Sequence, residues 1–153
     1  MKDTPTTEHD IKVLNSLITT TLDSADGYRE AAKDTKNPTF KDLFDRWSTE
    51  RRQVVNELQQ HVRSLGGKPE DEGSALASAH RILVNLRDAM SRSDKGVVEE
   101  VERGEDYLKS KYEDALDDSE LSEDIRPLIS RAYESVVQGH DQARDLKQHY
   151  QRN

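Results

Sequence analysis

The stretch Phe44–Asp71, FDRWSTERRQVVNELQQHVRSLGGKPED, decides how the chain is read. Trp47, Val54, Leu58, Val62 and Leu65 recur on one face at helical spacing. Gly66 follows at once, where a left-handed C-cap favours glycine. Lys68–Gly73 is then a polar loop. Such a helix buries only a stripe, so it needs helical partners to cover that stripe. Glu50 and Arg51 stand beside the stripe, Arg51 nearer its centre. A carboxylate there is either half of a metal site or one end of a buried ion pair.

The same periodicity extends in both directions. Upstream, Ile11, Leu14, Ile18, Thr21, Ala25, Tyr28 and Ala32 predict a helix over about Glu8–Lys36, preceded by a flexible tail at 1–7. Asn37-Pro38 breaks it, because proline disfavours a helical residue before it and suits the first turn of the next helix. The second helix then runs from about Pro38 to Leu65. Downstream, Leu76, Ala79, Leu83, Leu86 and Met90 mark a segment over about 74–92. Ser93 or Asp94 is placed to cap a helix reaching about Leu116, through Val98, Val101, Glu105, Leu108, Tyr112 and Ala115. The last helix is expected over about Ser122–Tyr150. Short joints favour antiparallel neighbours. The chain therefore reads as two antiparallel hairpins linked by a helical crossover, roughly 28 Å long at about 1.5 Å per residue. A plain five-helix up-down array obeys the same short-joint rule.

Composition agrees with a bundle. The chain has 153 residues, 32% apolar and 35% charged. A lean core under a charged surface suits helices with narrow buried stripes, and the periodicity argues against disorder. The length suits a single domain, expected over 8–150. Net charge is −8. With no basic stripe, neither nucleic acid nor an anionic membrane surface is an expected partner. Cysteine is absent, which removes disulfides, thiolate catalysis and Cys-ligated metals. No leader or membrane-spanning run is visible, so the expected location is cytoplasmic.

Several stretches together carry a resemblance. ERRQVVNELQQHVRSLGGKP (50–69) resembles the second helix of ferritin-like proteins, where Glu-x-x-His precedes a closing Leu-Gly-Gly-x-Pro. With LDSADGYREAAKD (22–34), AHRILVNL (79–86), VERGEDYLKSKYEDAL (101–116) and GHDQARDLK (139–147), the pattern is similar to a family of uncharacterised bacterial four-helix-bundle proteins in the ferritin-like superfamily. The resemblance spans about residues 8–148. It implies an all-α, ferritin-like four-helix bundle with an additional crossover helix, and bacterial origin. It implies no established reaction.

A ferritin-like di-iron centre takes a Glu from each of two helices and a Glu-x-x-His from each of the others. Glu50 and Glu105 occupy usable positions at about the same height. The expected His is Gln53. Helix one offers Thr21 at the inward position, while Asp23 and Glu30 point away from the stripe. In the last helix Val137 stands where the Glu partner of His140 would be. Only Glu50 and Glu105 carry over as metal ligands. The competing reading is a buried polar network of Glu50, Arg51, Glu105, Tyr28, Tyr112 and Tyr133, with Arg51 pairing Glu105 or the tyrosine hydroxyls donating. A guanidinium does not give up its charge, so it would repel iron in that layer.

The remaining motifs are plain. His80 reads as a capping or packing residue, His61 as a partner of a helix C-terminus, and His9 as solvated in the first turn. No His-x-x-x-His face, Gly-x-Ser-x-Gly elbow or phosphate-binding glycine loop is present. Val13, Val55 and Val84 are expected to be exposed and to offer a further packing surface. The expected function is a non-enzymatic bundle with a degenerate metal centre and no cofactor. It would act through a protein partner or a homo-oligomer, with a stress-related role by superfamily analogy. The alternative is a carboxylate-rich iron or manganese protein with di-iron-type redox activity.

Overall fold

The computed structural model describes residues 5–72 and 78–152, with side chains for all of these except 78–83 and 151–152. The expectations for residues 1–4, for 74–77 and for the side chains of Leu76, Ala79, His80 and Leu83 lie outside the described residues. Five helices account for nearly all of it: α1 Pro5–Asp34, α2 Pro38–Ser64, α3 Ser78–Arg92, α4 Asp94–Leu116 and α5 Arg126–Arg152. No strand occurs among the described residues.

The helix ends follow from local chemistry. Asn37 is extended (φ −87°, ψ 114°) and its side chain accepts from the Thr39 and Phe40 amides. Pro38 fills the first helical position, where a missing N–H leaves nothing unsatisfied. At the far end of α2, Gly66 takes φ 87°. Its amide donates to the Arg63 carbonyl at 2.9 Å and that of Gly67 to Val62 at 3.0 Å, a Schellman closure. Ser93 caps α4 by accepting from the Gly96 amide at 3.0 Å.

Two boundaries differ from the sequence expectation. Residues 5–7 belong to α1 rather than to a tail, because Pro5 suits a first helical position. The last helix begins at Arg126, not near Ser122. Pro127 tolerates only the first turn of a helix, so it holds the start close to itself. The Arg126 guanidinium then donates to the Leu116 and Asp118 carbonyls, both at 2.6 Å, and satisfies the C-terminal end of α4.

The main seams are α1 with α2 and α4 with α5; α3 lies against α1 and α4. Narrower seams join α1 to α4 and α2 to α5. Cross-links fix the directions. Tyr28 reaches Glu105 while Thr21 reaches Tyr112, so α1 and α4 are antiparallel. Lys147 meets Glu102 and Tyr133 meets Glu113, so α4 and α5 are antiparallel too. The arrangement leaves α2 and α4 parallel and diagonal to each other, with α3 returning the chain between them.

The core is divided. One apolar cluster joins Leu14–Leu22, Val54–Val62, Leu108–Ala115 and Leu121–Val136 positions. The other gathers Tyr28, Phe40, Phe44 and Trp47 with Ala31, Leu86, Val98, Val101 and Ala143. Its rings pack closely, Tyr28 on Phe44 at 5.5 Å and on Trp47 at 5.1 Å between centroids. Val55, expected on the surface, is 3% exposed and Val13 is half-buried, whereas Val84 is exposed. The buried arc of α1 is wide because α2, α3 and α4 all touch it. Asp23, expected to point away, is therefore buried.

Candidate functional site: a buried ion pair between two apolar clusters

Arg51 of α2 and Glu105 of α4 meet across the diagonal, each only 1% exposed. Arg51 Nη2 donates to Glu105 Oε1 at 2.5 Å, and Nη1 to Oε2 at 3.1 Å, a two-pronged pair that matches the planar fork to the carboxylate. Tyr28 Oη donates to the same Oε2 at 2.7 Å. Arg51 Nη1 also donates to Ser24 Oγ at 2.9 Å. Both carboxylate oxygens are thus engaged.

The fourth wall is an absence of side chain. A Cβ built on Gly139 of α5 would collide with Arg51 Nη2 and stand 2.8 Å from Glu105 Oε1. Glycine here lets the α5 backbone lie directly over the pair. Next to this layer, the Tyr112 hydroxyl meets Thr21 Oγ1 at 2.8 Å, and Thr21 donates onward to the Leu17 carbonyl at 2.6 Å.

The electrostatics follow from burial. Burial works against charge on Arg51, but Glu105 beside it outweighs that penalty and raises the guanidinium above its ordinary range. The Tyr28 phenol is held well above its usual value by burial and by the adjacent Glu105, with Arg51 partly opposing. Tyr112 is pushed up to about 12, chiefly by burial. Both phenols are neutral donors at physiological pH, and the arginine is a fixed cation.

The expected network is therefore assembled from some of its candidates and not others. Arg51, Glu105 and Tyr28 come together. Glu50 is half-buried and bonds neither of the two charged groups. Tyr112 serves Thr21 instead, and Tyr133 donates to Glu113 at 2.8 Å on a more exposed flank. His9, expected to be solvated, is half-buried and holds Asp118 at 2.6 Å. That bond is the first cause of the lowered Asp118 pKa. His140 meets Asp106 at 2.5 Å. Ser24 and Gly139 were not among the sequence candidates. Gly139 carries one readable signal, an uninterrupted helix on both sides of a glycine.

These residues do not fit a di-iron centre. A guanidinium occupies the layer, and both Glu105 oxygens are bonded. Among the described residues, no three His, Asp or Glu side chains converge as a ligand set. The crevice that reaches the layer between α1 and α4, past Thr20, Ser24, Gly104 and Tyr107, has a volume of about 30 Å³. That is room for one water, not for a substrate.

No curated protein matches the chain. No described helix is long and apolar enough to cross a membrane. The family described as a domain of unknown function (DUF2383) matches residues 9–118, from the start of α1 through the end of α4 and including every side chain of the buried layer except the glycine that covers it. On that match, which spans most of its length, the chain belongs to the DUF2383 family.

Proposed function

We propose that the chain is a non-enzymatic, ferritin-like helical bundle in which an arginine–carboxylate pair takes the place of a metal centre, and that it works through protein contact. The supporting observation is the engagement of both Glu105 oxygens by Arg51 and Tyr28 in a layer sealed by Gly139. A ferritin-like order of helices is supported by the parallel α2 and α4 joined through α3. A buried pair of this kind holds register: Arg51 and Glu105 satisfy each other only when α2 and α4 sit at one relative height.

The test is metal loading of untagged protein with ferrous iron and with manganese under argon, followed by desalting and elemental analysis. We expect protein without stoichiometric metal, and the same result for Glu50→Ala. Stoichiometric metal that disappears in Glu50→Ala or Glu105→Ala would overturn the reading.

A further inference from the structure

The crevice between α1 and α4 has a volume of about 30 Å³ and touches the buried pair itself. A cavity of that size in an apolar core stays dry, but one with two to four polar groups on its walls suits a water. Here the buried wall carries Asp23, Ser24 and Tyr28 of α1 and Glu105 of α4. The half-buried Thr20 and Gly104 and the exposed Tyr107 complete the lining. A Cβ on Gly104 would stand in open space, so no side chain of α4 fills the crevice from that position.

The hydrogen-bond directions in the layer show what the crevice can hold. Ser24 Oγ accepts from Arg51 Nη1 at 2.9 Å, so its own proton is turned away from the guanidinium and left to donate. The neighbouring cation polarises that hydroxyl and makes it a better donor. Tyr28 Oη spends its proton on Glu105 Oε2 at 2.7 Å and keeps a lone pair to accept with. Asp23 is 4% exposed, and its carboxylate can accept several bonds at once. The wall thus offers one donor and two acceptors, the complement of a water molecule.

We propose that this crevice is a binding site for one ordered water, which accepts from Ser24 Oγ and donates to the Tyr28 oxygen and the Asp23 carboxylate. The water closes a circuit: Arg51 donates to Ser24, Ser24 to the water, the water to Tyr28, and Tyr28 to Glu105, which Arg51 also holds. Each link polarises the next, so the buried pair is stabilised as a ring rather than as an isolated contact. This inference does not depend on the protein-contact role, and metal loading does not bear on it.

The experiment has two parts, both on the untagged full chain. In a wild-type crystal structure that resolves ordered water, we expect a peak about 2.5–3.0 Å from both Ser24 Oγ and Tyr28 Oη. In solution, oxygen-17 relaxation dispersion of water counts the long-lived buried molecules. We expect the folded Ser24→Val variant, in which a methyl fills the site and the donor is gone, to hold one fewer than wild type. Circular dichroism confirms its helicity; if that variant does not fold, the wild-type map decides alone. A crevice without water density in the wild-type crystal, or an unchanged count in folded Ser24→Val, would overturn the proposal.

Discussion

At the scale of single residues, the decisive contact is Arg51 on Glu105. Removing one partner strands a charge that no other described group is placed to neutralise. Glu105→Leu should therefore lower stability by about 3–5 kcal/mol in urea denaturation. Arg51→Met with Glu105→Leu should return to within about 2 kcal/mol of wild type, since a buried pair is often replaceable by apolar groups. A single Glu105→Leu that raises the melting temperature would show that the pair is not what holds this layer. Gly139 gives a sharper contrast. In an open helical position alanine is favoured over glycine by about 1 kcal/mol. Gly104→Ala meets nothing within 4 Å and should gain up to that amount. Gly139→Ala drives a methyl into Arg51 and Glu105, and should lose about 1–3 kcal/mol. Equal effects at the two glycines would mean that α5 does not lie over the pair.

At the scale of elements, most of the helices are legible in the sequence, because stripes, caps and breakers agree. Asn37-Pro38 marks the α1–α2 joint by its chemistry alone, and Asn37→Ala should cost about 1 kcal/mol, read as a lower urea midpoint with an unchanged slope. No change in midpoint would show that water replaces the Asn37 side chain at no loss. The start of α5 is one of the two misplaced boundaries, and Pro127 is the signal that corrects it. The site is less legible than the helices. Arg51 and Glu105 can be paired from the sequence because both lie on stripes and at equal height. Glu50 is the competitor one residue away, about 100° around the helix, and the same face takes only one of the two inward. Tyr112 misleads for another reason. A tyrosine hydroxyl ends far from its Cα, over the preceding turn, so the partner it finds (Thr21) is set by the neighbouring helix and not by its own stripe. Ser24 is hidden similarly, since the width of the buried arc on α1 depends on three neighbours that no single-helix pattern contains.

At the scale of the whole molecule, two apolar clusters are joined across a layer whose hydrogen bonds depend on protonated phenols. Tyr28 donates into Glu105 and Tyr112 into Thr21, and both phenols have raised pKa values in the folded state. In the unfolded chain an ordinary tyrosine titrates near pH 10. Below that value both states hold the proton and the contribution to stability is complete. As pH rises past 10 the unfolded chain ionises first and is favoured; the contribution falls until the folded phenol itself ionises, about pH 12 for Tyr112, with Tyr28 likewise raised by burial and by Glu105. For Tyr112 alone the loss by pH 12 is about 2 kcal/mol. Stability should thus be flat with respect to these groups at neutral pH and should drop steeply between pH 10 and 12. Tyr112→Phe should flatten that slope while lowering stability at neutral pH. In an ultraviolet titration the phenolate bands of Tyr28 and Tyr112 should appear only with loss of helicity. Reversible ionisation of every tyrosine near pH 10 with helicity intact would mean that the layer between the clusters is open to water, and that the two halves of the core do not depend on it.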